Sequence, residues 1–301
     1  MSTTEELKSP RRPGPADPGW EASDESSDPG SHEVIIRPSR GWIAINWREL
    51  IQSHELFASL VQRDLKIRYK QTVLGVAWAV LQPLLMTIIF TFIFSRIPGV
   101  APEGVPFPLF VLAGLVPWTF FSNAVSAAGM SLISQQQLLT KIYFPRLYVP
   151  ASTVGAQLVD LSVGLSLFAI LLPFYRVAPG PWILAVPPLM LLTFLAAFGV
   201  GLIMAAATVL YRDLRFVIPF AMQILMFTSP VFYSPGILPR PVQLLVSVNP
   251  MVGIIGGYRA SILGGSWDPA SLAISVASTA GLLLFGLFFF RKSERLFADV
   301  I

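Results

Sequence analysis

Between His54 and Lys70 the chain sets Arg63, Lys66, Arg68 and Lys70 among Leu56, Phe57, Leu60, Val61 and Leu65, apolar residues recurring at helical spacing. Cations on one side of such a helix can snorkel to lipid phosphates and anchor the topology. They can also present the helix to a partner that moves. The residues alone leave both readings open, and the cations near the C-terminal turns suit the helix dipole in either case. The second chemically capable group is Asp160, a carboxylate near the middle of an apolar run. A lone charge there is costly, so it is either functional or hydrogen-bonded to a neighbouring helix. The third is a set of rings: Phe90, Phe92 and Phe94, then Phe216, Phe220, Phe227, Phe232 and Tyr233. Aromatic faces can stack on sugar C–H groups and let a polymer slide. Core or lipid-facing phenylalanine is the plainer alternative.

Catalytic sets are missing. No lysine follows a glycine, so GxxxxGK[ST] is absent, and there is no HExxH or GxSxG. With no cysteine, and with His32 and His54 far apart, neither a metal site nor a disulfide framework is expected. Asp64, Asp213, Glu294 and Asp299 each have a basic neighbour, which explains them as ion-paired groups rather than catalytic acids.

The elements that would position these groups are membrane helices. Of 301 residues, 54% are hydrophobic and 13% charged, and the mean hydropathy is +0.66. A soluble domain carries about 25% charged residues, so the composition is that of a polytopic membrane protein. The net charge of +4 sits beside apolar runs, where membrane topology places it. No aromatic-rich basic soluble domain remains to bind nucleic acid.

Residues 1–40, rich in Pro, Gly, Ser, Asp and Glu, read as a disordered cytoplasmic tail without the apolar centre of a signal peptide. Trp42, Ile43, Ile45, Trp47 and Leu50 beside Arg40 and Arg48 suit an interfacial segment, or a short segment packed on a partner. The amphipathic helix His54–Lys70 closes this region, 41–70. Six spans are expected within 71–290: about 72–95, 109–132, 149–174, 182–210, 217–233 and 271–290, followed by a cytoplasmic tail, 291–301. In the first span Trp78, Gln82, Leu85, Ile89, Phe92 and Arg96 share a face; in the fifth, Phe216, Phe220, Gln223 and Phe227 do. Pro83 is expected to kink the first span and Pro117 to split the second. The segment after Gln135 reads as a short helix plus connection. The stretch 235–265, apolar but broken by Pro, Gly and Asn, reads as a re-entrant hairpin. This arrangement puts most Lys and Arg on one side, leaving Arg96, Arg176, Arg240 and Arg259 outside, so both termini are expected in the cytoplasm.

At RDLKIRYKQTVLGVAWAVLQPLL, LTKIYFPR, YRDLRF and the long SP…NP region, the sequence resembles the permease subunits of ABC-2 type exporters, those for O-antigen, capsular polysaccharide or teichoic acid above all. The resemblance implies the ABC-2 exporter fold, all-α with six spans, in a homodimer in the cytoplasmic (inner) membrane, docked on two copies of a separate ABC ATPase. ATP would be used by that partner and no cofactor held by this chain. The helix His54–Lys70 would be the gate or interface helix. Gln135, Gln137, Lys141, Tyr143, Phe144 and Arg146 would form the coupling loop seated on the ATPase. Trp78, Gln82 and Phe92 with Phe220, Gln223 and Phe227 would line a channel closed by the outer hairpin. A lipid-linked glycan would meet Arg63, Lys66, Arg68 and Lys70 with its phosphate headgroup. Rival readings are an ABC-2 exporter of a drug or other lipid, a membrane glycosyltransferase using Asp160 or Asp213, and a proton-coupled transporter using Asp160.

Overall fold

The computed structural model describes residues 54–70, 77–96, 104–141 and 144–300. The expected tail, the Trp42–Leu50 segment, the start of the first span at 71–76 and Tyr143 lie outside the described residues. The described residues form helices: α1 His54–Lys70, α2 Ala77–Phe94, α3 Phe107–Ser134, α4 Gln136–Lys141 and α5 Tyr148–Phe174. There follow α6 Val186–Leu210, α7 Leu214–Thr228, α8 Arg240–Val246, α9 Pro250–Leu263 and α10 Pro269–Val300. Five helices are long and apolar enough to cross a membrane, or six if the bent pair α8–α9 counts as one. The class read from the sequence, an all-helical multi-spanning protein, is the class found.

The middle of the bundle is α3, packed on α2, α5, α6, α7 and α9, while α6 also lies along α10. Within α3, 78% of the most apolar stretch is buried, against 11% in α2, whose buried residues are Pro83 and Thr87. Close helix packing without a hydrophobic force between helices needs small residues at the contact. Gly199 of α6 and Gly286 of α10 provide it: a Cβ built on Gly286 would lie 2.4 Å from the Gly199 carbonyl oxygen.

Two expectations are corrected. Pro117 does not split the second span, since α3 runs unbroken through it; the proline is buried among neighbours that hold the helix together. The fifth span is shorter than read. α7 has 15 residues, about 22 Å of helix, against a hydrocarbon core of about 30 Å. Its ladder stops where Ser229 turns extended, just before Pro230, which has no N–H to continue it. The last span is part of a longer helix, which continues past Phe290 to Val300.

The broken stretch does form two helices, α8 and α9, bent by 108°. Asn249 caps α9, its side chain accepting from the Met251 N–H at 3.1 Å, with Pro250 in the first turn. Gly264, at φ 76°, closes the other end in a left-handed conformation that glycine adopts without strain.

Candidate functional site

α1 is held against the first half of α5 along its length. Phe57 meets the Tyr148 ring at 5.7 Å, and Asp64 accepts from Ser152 at 3.1 Å. Further along, Arg68 pairs with Asp160 at 2.6 Å, and the Tyr69 hydroxyl also donates to that carboxylate. The partner residue number rises along both helices, so they run parallel. From Tyr148 to Asp160 the climb is about 18 Å at 1.5 Å per residue. Asp160 is therefore the hydrogen-bonded and ion-paired carboxylate of the plainer sequence reading, supplied by the cationic helix itself. Burial first, then the bond to Asp160, pushes the Tyr69 phenol up to about 12.

This pairing divides the four cations. Arg68 is committed to Asp160, and Arg63 to its neighbour Asp64 at 2.8 Å. Lys66 and Lys70 are exposed and, among the described residues, make no ion pair.

Around the Arg68–Asp160 pair, α1, α2, α3 and α5 enclose a cavity of about 480 Å³. Trp78 and Gln82 face it from α2, Thr119 and Asn123 from α3, and Leu161 and Gly164 from α5. Gly164 lets α5 close on α3, since a Cβ there would meet Val116 at 2.8 Å. Trp78 and Gln82 thus share a site with Asp160, which the sequence reading had kept apart from them.

The remaining expected channel residues are exposed: Phe92 on α2, and Phe220, Gln223 and Phe227 on α7. They do not converge within the chain. A different aromatic group does, with Phe232 stacked on Phe90 at 3.7 Å and placed 6.4 Å from both Phe94 and Phe227.

The family model described as ABC-2 type transporter matches residues 55–263, more than half of the chain. The chain belongs to the ABC-2 type transporter family. Its similarity extends to the O-antigen export system permease protein RfbA of Myxococcus xanthus, 30% identical over 82% of this chain and 95% of that one. The RfbA of Klebsiella pneumoniae is 26% identical over the same shares. The polysialic acid transport protein KpsM of Escherichia coli is 24% identical over 78% of this chain and 92% of its own. These relatives are transport proteins, and this ABC-2 chain is a multi-pass membrane protein of a transporter family.

In this ABC-2 chain the loop expected to couple to an ATPase contains the six-residue helix α4. Gln135 follows the last turn of α3, its N–H bonded to the Ser131 carbonyl, and Gln137 is exposed. Phe144 is buried, and Arg146 donates to the Glu294 carbonyl of α10 at 3.0 Å, so these two anchor the loop to the bundle. The backbone of Lys141 closes α4.

Sequence reasoning missed Arg259. It was assigned to the outer side with no role, and it is 8% exposed on α9. It donates to the carbonyls of Val231 at 2.7 Å and of Phe110 and Tyr233 at 3.3 Å, with its guanidinium 3.6 Å from the Phe110 ring centre. The run of backbone breaks around it was the available signal, because freed carbonyls at depth need a donor. Nearby, Arg240 forks onto Asp268 at 2.7 and 3.0 Å, joining α8 to the start of α10. That fork holds the Asp268 carboxyl well below the usual carboxylate range.

Proposed function

We propose that this chain is the permease half of an ATP-driven exporter that carries a lipid-linked polysaccharide, or a related cell-envelope polymer, across the cytoplasmic membrane. The observation that carries the proposal is similarity over most of the chain to permeases named for O-antigen export and polysialic acid transport. In this reading two copies form a homodimer on two copies of a separate ABC ATPase, with both termini cytoplasmic. The apolar faces left uncovered on α2 and α7, including Phe92, Phe220 and Phe227, support a second copy as their partner.

Each residue group then has a task. Nucleotide closes the ATPases, and their unequal affinity for two permease arrangements shifts the population. The loop around α4 receives that motion. α1, fastened to α5 through Arg68 and Asp160, moves with it. Lys66 and Lys70, four residues apart on one face, attract the phosphate headgroup in place of the full set of four cations, because the two arginines already have carboxylates.

The test is ATP hydrolysis by the purified permease–ATPase complex in lipid nanodiscs, with and without lipid-linked glycan, beside surface polymer in cells lacking the chain. Stimulation by the glycan and loss of surface polymer are expected. Lys66→Glu with Lys70→Glu should abolish the stimulation and leave the melting temperature unchanged. Stimulation by drugs or other lipids alone would assign the exporter a different cargo.

A further inference from the structure

The cavity between α1, α2, α3 and α5 is lined mostly by apolar side chains, Val116, Phe120 and Leu161 among them, with a few neutral polar groups set beside Trp78. Two pairs four residues apart line it, Trp78 and Gln82 on α2, Thr119 and Asn123 on α3. Side chains at that spacing lie one above the other on a helix, so each pair forms one wall. Among the described residues, Gln82, Thr119 and Asn123 have no hydrogen-bond partner. Two amides and a hydroxyl are thus left with unused donors and acceptors beside an indole.

Charge narrows the ligand. The guanidinium of Arg68 is neutralised by Asp160 at 2.6 Å, so the cavity presents no free cation to an anion. An acyl chain would leave the three neutral polar groups dry and unpaired, at a cost for each. A ring carrying several hydroxyl groups meets every requirement. Its C–H face lies on Trp78, and its hydroxyls donate to and accept from the planar amides, which offer both functions side by side. The volume of about 480 Å³ falls in the range of small-molecule sites, about 300–1,000 Å³.

We infer that this cavity is a binding site for a neutral sugar unit, one in each protomer, separate from the face on which Phe92 and Phe220 lie. Trp78 stacks on the ring, Gln82 and Asn123 bind its hydroxyls, and the Arg68–Asp160 pair closes the end of the site. The inference deepens the polysaccharide reading and rests on it for the identity of the sugar's source, the exported polymer.

The chain has no cysteine, so Ala79→Cys, at a lining position given no part in binding, introduces a single thiol on the cavity wall. With the full chain and its ATPase in nanodiscs, alkylation by N-ethylmaleimide is timed in the presence of octyl glucoside below its micelle concentration. Octyl phosphate and octanol provide the same tail with other heads. Octyl glucoside at ten times its Kd should slow alkylation about tenfold, and Trp78→Ala in the same background should remove the protection. Thr119→Cys reports from the α3 wall should Ala79→Cys not assemble, and Phe92→Cys, on the exposed face, should react equally in all conditions. Equal protection by all three compounds, protection by octyl phosphate alone, or none at all would overturn the inference. Sugar protection in a chain whose deletion leaves surface polymer intact would keep the site and reject the export reading. Loss of polymer with no sugar protection would do the reverse.

Discussion

Arg68 and Arg259 hold different helices of the bundle in different ways. Arg68 meets a carboxylate, Asp160, beside an open cavity. Arg259 donates to three backbone carbonyls from two other segments and covers the Phe110 ring. An ion pair between two helices can separate when one helix moves, because water in the open cavity can solvate each charge. A cation bound by carbonyls is tied to backbone whose position the fold itself fixes. The α1 junction is therefore the joint that can part, and the hairpin end is the frame that stays.

The sharpest way to break this comparison is Arg259→Met. It strips the donor from three carbonyls, and the melting temperature in nanodiscs should fall by the equivalent of about 3 kcal/mol. Arg259→Lys should recover only part of that, since an ammonium cannot span three acceptors in a plane. A parent-like melting curve for Arg259→Met would remove the frame from the argument.

Asp160→Leu comes next. The side chains of Arg68 and Asp160 are 35% and 16% exposed, so the unpaired arginine can be partly resolvated and the loss should be about 1–2 kcal/mol. The double change Arg68→Met with Asp160→Leu should restore stability yet leave nucleotide hydrolysis unresponsive to lipid-linked glycan. Full response in the double variant would show that the joint carries no motion.

The smallest effects are in the pH dependence, and they have opposite signs. The Tyr69 phenol is raised, so its contribution is complete below pH 10 and lost as pH climbs toward 12. Asp268 is depressed, so its contribution is complete above the ordinary carboxylate pKa of about 3.9 and lost as pH falls below that. Tyr69→Phe should flatten the alkaline limb of the melting profile only. Arg240→Gln should flatten the acid limb only.

Local pattern carried much of this. The amphipathic period of α1, the apolar spans of α3, α5, α6 and α10, and the Pro, Gly and Asn breaks around α8 and α9 were legible because each feature acts within a few residues of itself. The partner of Asp160 was not legible, because Arg68 lies 92 positions away and nothing in either neighbourhood records the pairing. Helical spacing put Gln82 and Trp78 on one face and the family resemblance made that face a channel lining, but spacing does not say what the face meets. Pro117 misled for the same reason: its cost depends on the packing around α3, which no proline rule contains. Arg259 carried no signal beyond its side of the membrane, because the carbonyls of Phe110, Val231 and Tyr233 are brought to it only by tertiary structure.

α10 has 32 residues, about 48 Å of uninterrupted helix, while the hydrocarbon it crosses is about 30 Å deep. Roughly a third of the rod overhangs. Near that overhang the Arg146 guanidinium grips the Glu294 carbonyl. A small tilt imposed on the loop that bears Arg146 is therefore transmitted to a stiff lever arm, whose tip sweeps farther than the loop itself travels.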